Sequence, residues 1–279
     1  MGTQATLVNP VARSNSGVES DFPTSTLGAQ SGTIDLGWSG VVIPSVGTGI
    51  VSVSAQWTVP SFTPSTAGVS NCLIWVGIDG KFGSADVVLQ AGVGCDFKGS
   101  APNVYAWYEW YPDSQQKVPR SDLPVSVGDI ISCTITGKLS SGTATIELRN
   151  LRPGAVPNTK SISINAESGQ SLEGNCAEWV VEPIQISGNQ IALCNYGSVQ
   201  FSGCAAKDAK GNVLDPYDSP GGTAFKLQQH GKIVSYGSSP GHWQVTCAQD
   251  TTMGRSTAAP NTIADRALPD RNMLAQRVT

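Results

Sequence analysis

Charge, histidine and long apolar runs are all scarce in this sequence. Only 14% of the 279 residues are Asp, Glu, Lys or Arg, and the net charge is −4. No basic run occurs, which argues against nucleic-acid and anionic-membrane partners. No stretch of 18 apolar residues occurs either, so no helical membrane span is read. Two histidines, His230 and His242, and seven cysteines without a Cys-x-x-Cys spacing form no zinc pattern, so neither metal nor cofactor is expected. The cysteines (Cys72, Cys95, Cys133, Cys176, Cys194, Cys204, Cys247) allow three disulfides with one thiol over, or seven buried free thiols. The N-terminal stretch lacks the apolar core of a signal peptide, so the chain is cytoplasmic or is numbered from after a removed signal.

What is abundant points to strands. Gly alone supplies 31 positions, Ser and Thr are frequent, and a low share of Lys and Glu disfavours helices. Residues 1–32, rich in Ser, Thr, Gly and Pro, read as a flexible arm, or the remnant of a prosegment. Residues 249–279 hold four of the eight Arg and read as a loosely packed tail with one helical turn near Ile263–Leu268. Between them, residues 33–248 form one domain. Val51–Val59, Ile131–Thr136 and Thr143–Arg149 alternate apolar and polar residues with period two, the signature of half-buried strands. Ser140-Ser141-Gly142 supplies a turn between the last two. Nine further segments resemble strands: 73–78, 87–93, 104–111, 161–164, 177–182, 190–194, 199–203, 225–229 and 243–247. A dozen short strands imply an all-β sandwich of two packed antiparallel sheets.

Three segments break the apolar/polar alternation. Gln90 sits inside the apolar run Val87-Val88-Leu89-Gln90-Ala91-Gly92, where a buried amide without partners costs about 1–3 kcal/mol. Glu178 and Glu182 fall at i and i+4 of Ala177-Glu178-Trp179-Val180-Val181-Glu182, hence on one strand face, beside apolar neighbours that raise carboxyl pKa values. Trp107, Glu109 and Tyr111 share a face of their strand, as do Trp75, Gly77 and Asp79. Singly, each has an ordinary explanation: a hydrogen-bonded edge Gln, a solvated acidic face, an aromatic packing stripe. Together, on neighbouring strands, they make a polar cleft floor.

In this order, Trp75-Val76-Gly77-Ile78-Asp79-Gly80, Leu89-Gln90-Ala91-Gly92, Ala106-Trp107-Tyr108-Glu109-Trp110-Tyr111-Pro112 and Ala177-Glu178-Trp179-Val180-Val181-Glu182 resemble the eqolisins. These are the glutamic peptidases, pepstatin-insensitive acid endopeptidases. The resemblance spans about residues 36–248. It implies a concanavalin-like sandwich of two antiparallel sheets, about seven strands each, with the active site on a concave face. It also implies Gln90 and Glu182 as the catalytic pair. Glu178, Trp75, Asp79, Asp96, Trp107, Glu109 and Tyr111 would line the cleft or support that pair. The chain departs from fungal members in a longer Gln90–Asp96 stretch, in Pro183 after Glu182, and in lacking a Lys-rich propeptide and Asn-x-Ser/Thr sequons; a prokaryotic branch fits these departures. A secreted monomer acting on polypeptides is expected, with no nucleic-acid or membrane partner.

Elementary chemistry agrees. Peptide hydrolysis without a metal or a covalent intermediate needs a base for water and a donor for the oxyanion. A carboxylate supplies the first, and a Gln amide supplies a donor that never titrates. A bell-shaped rate profile with its maximum between about pH 2 and 5 is expected. Gly237-Ser238-Ser239-Pro240-Gly241 matches the nucleophile-elbow pattern, but Pro240 has no N–H to offer an oxyanion. No Asp-Thr-Gly or Asp-Ser-Gly occurs. The rival readings are a glycoside hydrolase or lectin using Glu178 and Glu182 on a similar sandwich, and a non-catalytic binding module.

Overall fold

In this computed structural model, residues 32–250 are described except 66–68, 84–86, 98–99, 168 and 187–188. The expected arm before residue 32 and the tail beyond residue 250, with its helical turn, lie outside the described residues. All regular elements among the described residues are strands. They run β1 (Thr33–Asp35), β2 (Ser39–Pro44), β3 (Ile50–Thr58), β4 (Ser70–Asp79), β5 (Val88–Phe97), β6 (Pro102–Tyr111) and β7 (Gln116–Lys117). Then come β8 (Ile130–Gly137), β9 (Thr143–Asn150), β10 (Thr159–Asn165), β11 (Cys176–Glu182), β12 (Gln185–Ile186) and β13 (Asn189–Gln190). Last are β14 (Ala192–Leu193), β15 (Ser198–Asp208), β16 (Val213–Leu214), β17 (Thr223–Gln229), β18 (Lys232–Ser238) and β19 (Gln244–Gln249).

One antiparallel ladder passes through β7-β6-β5-β4-β11-β2-β17. It turns over at the β17–β18 hairpin and continues as β18-β19-β15-β3-β8-β9-β10. Each half of this ladder therefore runs through seven strands, as the resemblance implied; β16 adds to β15, and among the described strands β1 against β17 and β14 against β4 pair in parallel. The halves face one another. Trp179 Nε1 of β11 donates to Ser54 O of β3 at 3.1 Å, and Cys133 Sγ of β8 donates to Ala91 O of β5 at 3.6 Å.

Burial separates the two halves. β9 alternates exposed and buried residues, the pattern of a sheet with one wet face. β4 is buried at every position. One of its faces, with Ile74, Val76 and Ile78, joins the main core with Leu89, Ala91 and Val93 of β5. Its other face carries a separate cluster in which Trp75 packs with Trp38, Trp107, Val180 and Phe225. An outer sheet face covered by its own aromatic layer is the departure from a plain sandwich that makes room for a site.

β2 and β18 were not legible as strands. Gly40 and Pro44 interrupt the β2 pattern, and β18 ends inside the Gly/Ser-rich stretch read as a turn. That turn follows Ser238, where β18 gives way to the connection into β19. The Ser140 turn is as expected: Gly137 pairs with Ala144, and Ser140 takes a left-handed φ of 54°.

Candidate active site

Period-two alternation puts i and i+2 on one face, so ladder register decides which side chains meet. One row runs Glu178, Gly77, Gln90, Glu109 across β11, β4, β5 and β6. The next runs Val180, Trp75, Gly92, Trp107, Lys117, and the third Glu182, Leu73, Gly94, Tyr105. Two glycines give these side chains room to lie flat. A Cβ on Gly77 would stand 2.7 Å from the Trp75 ring, and one on Gly94 would stand 2.6 Å from the Tyr105 ring.

Hydrogen bonds fix the polar members. Trp75 Nε1 donates to Glu182 Oε2 at 2.9 Å. Gln90 Nε2 donates to Glu109 Oε2 at 2.8 Å, while the buried Gln90 Oε1 accepts nothing from the described residues. Asp96 closes the Glu182 end, accepting from Tyr105 Oη at 2.8 Å and pairing with Lys117 at 2.6 Å. The Lys117 ammonium also stands 3.7 Å over the Tyr105 ring. At the other end Lys81 pairs with Asp35 at 2.7 Å and lies 5.1 Å from the Trp38 ring.

A model described as the Peptidase A4 family matches residues 36–249. The chain belongs to the peptidase A4, or eqolisin, family.

Similar proteins bear this out. Aspergillopepsin-2 of Aspergillus niger is 33% identical over 218 residues, 71% of this chain and 72% of the relative. Scytalidopepsin B of Scytalidium lignicola is 30% identical over 202 residues, 69% and 72% of the two chains. A solved scytalido-glutamic peptidase with a peptide-based transition-state analogue aligns at a TM-score of 0.63 and 25% identity, covering 78% of this chain and all of that one. Aspergilloglutamic peptidase from Aspergillus niger gives 0.55 and 28%, covering 64% and 99%. This eqolisin is therefore a peptide hydrolase, and the glycosidase and lectin readings are set aside.

Electrostatics in the eqolisin cleft follow from its aromatic cover. Glu182, Glu178 and Glu109 are each pushed up from 4.5 to about 8, chiefly by burial. For Glu182 the Glu109 charge adds most to the rise, and the Trp75 N–H opposes it. For Glu109 the Gln90 donor opposes, and for Glu178 the Lys81 charge opposes. Glu178 is 1% exposed, whereas Glu182 is only partly covered.

Other expected residues fall in distinct places. Asp79, at a left-handed φ of 70°, accepts the N–H groups of Glu173 and Asn175 and so anchors the segment entering β11. Burial raises its pKa. Trp107 is fully buried beneath the cleft, and Tyr111 stands half-buried opposite Val88 at the end of β6. The elbow-like Ser239 is buried and donates to Gln244 O at 2.9 Å, while His242 turns to Asp215 at 2.7 Å, so the two form no hydrolytic pair. Asp215, Asp218 and His242 are the one group among the described residues that gathers three metal-type ligands, and none of them stands on the rows of the cleft. Sequence reasoning missed Asp35, Lys81, Trp38, Tyr105 and Lys117. Charges flanking an acidic floor were a usable signal for Lys81 and Lys117; Trp38 precedes β2, and no periodicity marked that strand.

Proposed function

We propose that this peptidase is an acid-active endopeptidase in which Glu182 is the general base and Gln90 the oxyanion donor. The observation that carries this reading is the cradle around the two side chains. Trp75 holds the Glu182 carboxyl, and Glu109, whose charge acts most strongly on Glu182, holds the Gln90 amide. Gln90 Oε1 is left to accept from a water, and the second Nε2 hydrogen is left to donate to a tetrahedral oxyanion. Glu182 takes the proton of that water and later delivers it to the leaving nitrogen. With Glu109 and Glu178 protonated, two repulsions on Glu182 vanish while the Trp75 donor remains. Glu182 then ionises ahead of its neighbours. Glu178 is the poorer base because its carboxylate is engaged by Cys176 and by the charge of Lys81.

A secreted monomer with a peptidase domain over residues 33–248 belongs to the same reading, supported by the family match over 36–249. The test is hydrolysis of denatured casein at pH 3–4 with β-glucan as the control. Gln90→Ala and Glu182→Gln should each lower turnover by at least ~100-fold with the fold preserved, the scale of losing an oxyanion donor or base. An active Glu182→Gln beside an inactive Glu178→Gln would transfer the base to Glu178. Cleavage of glucan alone would end the reading.

A further inference from the structure

All seven cysteines are buried and unpaired, and three of them gather near the Asp96 end of the cleft, on the core side of the sheet. Cys72 and Cys95 stand opposite one another across β4 and β5. Cys194 follows β14, which runs beside β4 with Leu193 opposite Asn71, and its N–H donates to Asn71 O at 2.9 Å. The Cys194 side chain interacts with both Cys72 and Cys95, so it is common to the two contacts. Cys72 Sγ also reaches Leu73 O at 4.0 Å, and the remaining four thiols are directed at backbone carbonyls alone or with a carboxylate: Cys133 at Ala91, Cys176 at Lys81 and Glu178, Cys247 at Ser39 and Cys204 at Val245.

We propose that Cys194 is the shared member of a single internal disulfide, closed to Cys72 or to Cys95, which fastens the Glu182 end of the cleft. Directly opposed residues of antiparallel strands have Cα atoms about 4.5–5.5 Å apart, within the range a disulfide spans, so Cys72–Cys95 is the competing pair. The thiol contacts select Cys194 over it. The bond reaches the site through Asn71. That residue accepts the Cys194 N–H on its backbone oxygen and the Ile184 N–H on Oδ1 at 2.7 Å, two residues beyond Glu182. Closure consumes two thiols and one glutathione disulfide, yielding one protein disulfide and two reduced glutathiones; two electrons and both protons pass to glutathione. The neighbouring thiols, with burial, raise the Cys95 and Cys194 thiols and suppress the attacking thiolate, so closure occurs during folding or local opening. The third thiol of the group stays free beside the bond.

The experiment refolds the chain in a glutathione redox buffer, alkylates it in denaturant and maps disulfide peptides by mass spectrometry. One disulfide that always contains Cys194 is expected, with five alkylated thiols. Closing a loop of roughly 100 residues or more should raise Tm by roughly 5–10 °C over the reduced protein. Cys194→Ser should melt like the reduced protein under both conditions. A Cys72–Cys95 bond, a bond from outside these three, or seven free thiols after oxidation would overturn the proposal. The peptide map on the unmodified chain decides this even if the variant fails to fold.

Discussion

Raising the pH from 4.5 to 8 should destabilise this fold steadily, because the fold raises the pKa values of three carboxyls in the cleft. Glu109, Glu178 and Glu182 are each raised from 4.5 to about 8. Between those values the folded state binds more protons than the unfolded one, so the unfolding free energy falls as pH rises. The stabilisation is whole below pH 4.5 and is lost as pH passes through about 8. One proton is worth about 1.4 kcal/mol per pH unit, so a single group accounts for ~5 kcal/mol across the window. The three do not add, because Glu182 feels the charges of both others. One group is therefore the floor. For a domain of roughly 200 residues, one proton corresponds to a Tm fall of roughly 3 °C per pH unit, or about 10 °C from pH 4.5 to 8. Against a total stability of about 5–15 kcal/mol, a second proton would bring the protein close to unfolding near neutrality. The assay is a series of calorimetric or circular-dichroism melts at fixed ionic strength across this range, beside a Glu109→Gln/Glu178→Gln/Glu182→Gln variant. The variant should show a much flatter profile. A wild-type Tm that holds or rises toward pH 8, or an equal fall in the triple variant, would refute the reasoning.

Trp75→Phe keeps the ring but removes the N–H that favours ionised Glu182. Losing one charge-assisted donor should lower kcat by about tenfold and move the acid limb of the pH–rate profile upward; an unmoved limb would separate Trp75 from the base. Gly94→Val would force the Tyr105 ring off the floor and weaken its bond to Asp96. Activity should fall more than tenfold, and wild-type kinetics would show that this end of the cleft is dispensable. Hydrolysis should persist in EDTA, in serine-directed fluorophosphonates and in pepstatin, and loss in EDTA restored by zinc would contradict the mechanism.

The sequence by itself determined the class of fold and most of the floor. Period two is a local property, so Thr143–Asn150 announced its buried Ala144, Ile146 and Leu148 without any partner. Gln90 and the Glu178/Glu182 pair were visible because a polar group in an apolar strand is costly unless it is satisfied or used. Only the tertiary structure decided which neighbours satisfy them, because ladder register is set by strands far apart in the chain. Nothing local pairs Gln90 with Glu109 or aims Trp75 Nε1 at Glu182. The second aromatic cluster that desolvates the carboxyls needs Trp38 and Phe225, brought in by β2 and β17 from the two ends of the domain. Asp79 shows the same division. Its place on the cleft side of β4 could be read from the motif, but its carboxylate caps the segment entering β11, a contact 96 residues away in sequence.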